Sequence, residues 1–264
     1  MQDRYVGDIG DFGKYGLLRA LCGHSPDDEP KLKLGVVWYL VPEEERNADG
    51  KHTNYLMDGR DPHAYRDCDQ ELLEKLALLV SSSQRSVRAV REAGILPPGT
   101  VFHEEPLTFA QTDGGGRSGG DARATRRRIW LQHALDATSC ADIVFLDPDN
   151  GLECKTVGPH SRRGPKFAYL EEMVSFFERG QSLVVYHHLN RTKPGSEQIA
   201  YRVNQLRDSL RLREAPFALA YHRGTARAFF VVPNSKDGEI LSRRLKHLLA
   251  SPWSRHFDRQ GTRL

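Results

Sequence analysis

The chain has 264 residues, 39% hydrophobic and 28% charged, with 38 Lys and Arg against 35 Asp and Glu for a formal net charge of +3. That is the composition of a globular protein with an ample core, and its charge is too near balance to argue by itself for a nucleic-acid partner. No apolar run reaches membrane-span length and the opening MQDRYVGDIGD is acidic and glycine-rich, so one cytoplasmic, non-membrane domain over 1–264 is expected.

In chain order, residues 11–21 predict a short helix whose apolar side carries Tyr15, Leu17, Leu18 and Leu21. Residues 34–41, LGVVWYLV, predict a strand buried on both faces that stops at Pro42 and three glutamates. Residues 43–67 lack periodicity and predict an irregular insertion, followed by an amphipathic helix over 70–80, a second over 85–93 and a short strand near 100–103. The stretch 113–121, DGGGRSGGD, lacks the Lys and Ser/Thr ending of a Walker phosphate loop and reads as a flexible linker. Then helix and strand alternate: helix 124–137, strand 142–146, helix 167–179, strand 182–187, helix 197–212. Strands 217–222 and 226–232 are joined by Arg223-Gly224-Thr225, and a helix over 236–249 closes the chain. Such alternation predicts an α/β fold, with a mostly parallel sheet, helices on both faces and a C-terminal antiparallel hairpin at its edge. Cys22, Cys68, Cys140 and Cys154 are widely spaced, form no zinc pattern and read as free thiols.

The stretch 143–151, IVFLDPDNG, carries the most chemistry: four apolar residues of a buried strand run into two carboxylates, a proline and a turn. Ligands of open α/β proteins gather at the carboxyl ends of strands, so Asp147, Asp149, Asn150 and the nearby Glu153 are candidate catalytic residues. The plain alternative is a strand exit capped by Asp and Asn. His187 and His188 end the next strand and are candidate bases, although neighbours on a strand face opposite ways, so at most one easily reaches a shared site. Arg126, Arg127, Arg162, Arg163, Lys166 and Arg191 supply basic groups around these motifs, suited to phosphates and hence to a nucleic-acid partner.

The alternation, the terminal hairpin and FLDPDNG together resemble the Rossmann-type S-adenosylmethionine methyltransferases. Among these the chain is most similar to the ribosomal-RNA adenine methyltransferases of the J type, which carry an Asp/Asn-Pro-Pro-aromatic tetrad at this place. The shared features are Asp11-Phe12-Gly13-Lys14-Tyr15, Asp147 to Asn150 with Glu153, and Val185-Tyr186-His187-His188. Here Asp149 replaces the second proline and Asn150 the aromatic, and Leu40-Val41-Pro42-Glu43-Glu44-Glu45 stands in place of a glycine-rich loop after the first strand. The resemblance implies a Rossmann-like fold and methyl transfer from S-adenosylmethionine to a base amino group, with Asp147 accepting an amine hydrogen bond. It also implies a cofactor pocket lined by Asp11, Gly13, Lys14, Tyr15, Tyr39 and Glu43.

Two other readings stay open. Asp147, Asp149 and Glu153 could bind Mg2+ or Mn2+ for phosphodiester chemistry, since hard cations want converging oxygens and Glu153-Cys154-Lys155 has the Glu-x-Lys form of many nucleases. Alternatively the chain is a catalytically silent module that binds nucleic acid or protein.

Overall fold

A computed structural model describes residues 1–24, 28–44, 50–57, 63–109 and 116–260, the side chains of 116–118 excepted. Its strands are β1 (Leu34–Trp38), β2 (Val101–His103), β3 (Ile143–Asp147), β4 (Gly151–Leu152), β5 (Phe167–Ala168), β6 (Ser182–His188), β7 (Phe217–Tyr221), β8 (Arg227–Val232) and β9 (Phe257–Gln260). Seven form one sheet in the order β2-β1-β3-β6-β8-β7-β9, while β4 and β5 make a separate parallel pair. The strands β2, β1, β3 and β6 are parallel, and β8, β7 and β9 extend the sheet antiparallel. This is the expected Rossmann-like α/β sheet with its C-terminal hairpin.

The helices are α1 (Ile9–Cys22), α2 (His63–Arg66), α3 (Gln70–Ser81), α4 (Val87–Glu92), α5 (Gly116–Ala137), α6 (Leu170–Glu178), α7 (Gly195–Ser209) and α8 (Gly238–Ala250). Because successive strand residues point to opposite faces, the central strands feed two cores. Val36, Trp38, Phe145 and Val184 pack with α1, α3 and α8, whereas Val37, Tyr39, Leu146 and Val185 pack with α5, α6 and α7. Helix α1 is entered through Asp8, which accepts a hydrogen bond from Gly10 N at 3.1 Å, and lies between α3 and α8.

The differences from expectation are local. The predicted linker 113–121 falls partly outside the described residues, at 113–115, and partly inside helix α5, which starts at Gly116. Once the later turns of α5 are anchored by Arg127 and Trp130, extending the helix costs less than starting one, even through glycines. Residues 167–168 form β5 rather than the start of a helix, and β9 was not anticipated. Within the predicted insertion 43–67, residues 45–49 and 58–62 lie outside the described ones, and the remainder holds a single turn at Asn54–Leu56 and α2. The four cysteines are free thiols. Among the described residues no helix is long and apolar enough to cross a membrane.

Candidate functional site

Three polar side chains of α1 follow one another at a spacing of three, Asp8, Asp11 and Lys14, which puts them near one side of the first turns. That side faces the carboxyl edge of the sheet, where β3 ends in Asp147. Lys14 Nζ lies 2.9 Å from Asp11 Oδ1 and 2.8 Å from Asp147 Oδ2, with Lys14 5% and Asp147 2% exposed. The rings of Tyr15, Trp38 and Tyr186 complete the enclosure of the ammonium, each centroid 5.7 or 5.8 Å away. Burial alone would lower the Lys14 pKa, but the two carboxylates outweigh it and hold the group above its ordinary value. Burial raises the Asp11 pKa, with Lys14 opposing the rise.

Asp149 turns from the same loop toward the chain's first residues. It lies 3.1 Å from Lys166 Nζ and 3.7 Å from the Met1 amine, which itself donates to Tyr39 O at 2.7 Å. Burial would raise the Asp149 pKa, yet the Met1 ammonium and Lys166 together hold it below the usual carboxylate value. Lys166 arrives there because β4 pairs with β5, and Asn150 N donates to Lys166 O at 2.8 Å. The turn into β4 needs Gly151: its φ is +98°, and a Cβ there would stand 2.3 Å from His187 Nδ1.

Together these groups wall a cleft of about 260 Å³. Asp8, Asp11 and Lys14 form its α1 side, Asp147 to Asn150 its floor, and Tyr186, His188 and Arg227 the side toward β6 and β8. No family model, curated protein or solved structure matches this chain. The functional reading therefore rests on the cleft.

Strand alternation separates the sequence-predicted residues. Asp147, Asp149, Asn150, His188, Asp11 and Lys14 line the cleft. His187, one residue before His188, points to the opposite face and accepts from Leu152 N through Nδ1 at 3.1 Å. Burial, reinforced by Arg202 and His188, lowers its pKa to about 3, so it is a neutral structural acceptor and not a base of this site. Glu153 is also turned away, accepting from Leu170 N at 3.0 Å at the start of α6. Among the described residues no three His, Cys, Asp or Glu are gathered as metal ligands, so Asp147, Asp149 and Glu153 do not form the expected triad.

Four of the residues expected to hold a cofactor do not line the cleft. Gly13 is there to admit Tyr221, whose ring a Cβ would meet at 2.3 Å. Tyr15 is wholly buried and donates to Asp11 Oδ2 at 3.1 Å, Tyr39 donates to Glu172 Oε2 at 3.2 Å on the other face, and Glu43 is an exposed partner of Arg4. Among the basic residues, Arg127 is buried in a fork with Glu172 and also donates to Gly164 O and Phe167 O, while Arg126 pairs with Glu105. Arg127 thus has no nitrogen left for a phosphate contact, whereas Arg126 engages only Nη2 among the described residues, with Glu105 and with Pro106 O. Arg162, Arg163 and Arg191 are exposed on loops that follow β4 and β6.

Tyr5, His52 and Arg227 enter the cleft without having been singled out, and Asp8, open to reading as a further metal ligand or as a helix cap, both caps α1 and lines the cleft. A signal existed for Arg227: a helix between strands 182–187 and 217–222 implies that these run parallel, which places the hairpin turn on the carboxyl edge.

Proposed function

We propose that the cleft is the active site of a methyltransferase that uses S-adenosylmethionine to methylate an amino group of a nucleic-acid base. The observation that carries this reading is the clamp of Lys14 on Asp147: a lysine of the first helix fixes the aspartate that opens the Asp-Pro-Asp-Asn turn, at the carboxyl end of a central parallel strand. Among the described residues only Oδ2 of Asp147 is engaged, which leaves Oδ1 as a hydrogen-bond acceptor at the cleft.

The donor set fits the charges of adenosylmethionine. Asp8, Asp11 and Asp147 suit its sulfonium and ammonium, Arg227 suits its carboxylate, and the Tyr5 and Tyr186 rings offer faces to an adenine. When bound, the cofactor supplies the electrophilic methyl group. Asp147 Oδ1 accepts one hydrogen of the acceptor amine and so aims the nitrogen lone pair, while Lys14 holds the carboxylate in place through Oδ2. Such positioning and preorganised charge are the main protein contributions to a transfer of this kind. Arg162, Arg163 and Arg191, exposed on loops that leave the same edge, provide phosphate contacts for a nucleic acid.

Calorimetry with S-adenosylmethionine and S-adenosylhomocysteine, followed by transfer of a labelled methyl group to RNA and DNA, tests this. Both ligands bind, and Asp147→Asn lowers transfer about a hundredfold or more while leaving ligand heat measurable. Absence of any binding heat in the wild type overturns the reading.

A further inference from the structure

Arg227 opens β8 opposite His188, so its guanidinium sits on the carboxyl edge although the residue is only 8% exposed. Its donors are unevenly used. Nε donates to Thr225 O at 3.1 Å and Nη2 to Thr225 Oγ1 at 2.6 Å, with Asp8 Oδ1 3.8 Å from Nη2. Nη1 has no hydrogen-bond partner among the described residues. By contrast Lys14 already faces two carboxylates and Lys166 faces Asp149 at 3.1 Å.

The guanidinium also has a seat. It lies against the first turn of α1 where residue 10 is glycine, and a Cβ at that position would stand 1.0 Å from Nη1. A cation held in place on two sides, lining a cleft and keeping a donor in reserve, is built to receive an anion.

We infer that Arg227 fixes the α-carboxylate of adenosylmethionine through Nη1; this rests on the methyltransferase reading and assigns the residue that orients its cofactor. A carboxylate on a zwitterion suits the place better than a phosphate. Asp8 and Asp11 line the same side of the cleft and repel a multiply charged anion, while they attract the ammonium that accompanies the carboxylate.

The test compares binding of S-adenosylmethionine, its decarboxylated analogue and methylthioadenosine, which lacks the amino-acid end, in the wild type, Arg227→Met and Gly10→Ala. The wild type prefers adenosylmethionine over the decarboxylated analogue by about tenfold or more, the usual worth of a charge-assisted hydrogen bond. Arg227→Met erases that preference and leaves methylthioadenosine binding within about twofold of wild type. Gly10→Ala keeps the arginine and suits a helix better than glycine, but it unseats the guanidinium and erases the preference too. If Arg227→Met retains the preference, the carboxylate assignment is overturned and the methyltransferase reading stands. If inorganic phosphate displaces adenosylmethionine from the wild type but not from Arg227→Met, Nη1 holds phosphate and the assignment is likewise overturned. If neither methylthioadenosine nor adenosylmethionine binds the wild type, the methyltransferase reading falls and this inference with it.

Discussion

On the α6 side of the sheet's carboxyl edge, Arg127 donates to both oxygens of Glu172 and to two backbone carbonyls, Tyr39 donates to the same Glu172, and Glu153 holds the first amide of α6. On the α1 side, Lys14 bridges Asp11 and Asp147, yet Asp147 Oδ1 and Arg227 Nη1 keep capacity to spare among the described residues. Both sides bury charge at one edge, and burying charge is costly unless each group is paired. The difference lies in saturation. Where every donor meets an acceptor the cluster holds loops to helices, and where donors remain and a cleft opens beside them the cluster can take a ligand.

The sharpest way to break this comparison is Arg127→Met. It leaves Glu172 buried and short of its guanidinium partner, so unfolding in urea is expected to show a loss of about 3–5 kcal/mol, with ligand binding by the surviving folded fraction unchanged. A folded variant of near wild-type stability that no longer binds nucleic acid would place Arg127 in the interface and end the distinction between the two sides.

The sequence carried the sheet, the hairpin and the importance of 147–150, because apolar runs ending in turn residues mark buried strands and their tips. It did not carry the choice of face. Tyr39, one residue past the end of β1, and His187 in β6 have neighbours, Trp38 and His188, that face the α1 side, and a one-residue step changes the side. Which face holds the cleft is decided by the docking of α1 between α3 and α8, a long-range contact that periodicity within one segment does not report. Short elements were also hidden: Phe167–Ala168 was absorbed into the helical pattern that follows it, and FDRQ of β9 is too polar to announce an edge strand.

His187 sharpens the same comparison through pH. Its imidazole folds neutral, with a pKa lowered from 6.5 to about 3 by burial first and then by Arg202 and His188. Below pH 6.5 the unfolded chain takes up a proton that the folded chain refuses, so the wild type loses stability as pH falls toward 3, by about 1.4 kcal/mol per pH unit from this group. His103, lowered to about 4 by burial, adds a similar slope over part of that window. Replacing His187 with Gln, which keeps an acceptor for Leu152 N, is expected to remove about 2 kcal/mol of the loss between pH 6.5 and 4.5, leaving the part due to His103. Urea titrations at several pH values read this directly. An unchanged slope would mean that His187 is accessible to protons and free to serve as a base on the cleft side.

Glu153 gives the smallest effect and the cleanest discrimination between sides. Its Oε2 accepts from Leu170 N at 3.0 Å, a cap on a helix start that a neutral amide oxygen can reproduce, so Glu153→Gln is expected to cost less than about 1 kcal/mol. If Glu153 instead joined Asp147 and Asp149 around a divalent cation, Mn2+ or Mg2+ would raise the wild-type melting temperature by binding the folded state, and the substitution would abolish that rise. The expected result is a melting temperature that divalent cations move equally little in both proteins. Asp147 is tied to Lys14 on the α1 side while Glu153 is tied to Leu170 on the α6 side, and a shared ion would require one of those attachments to break. A cation-dependent rise seen in the wild type alone would show that it does.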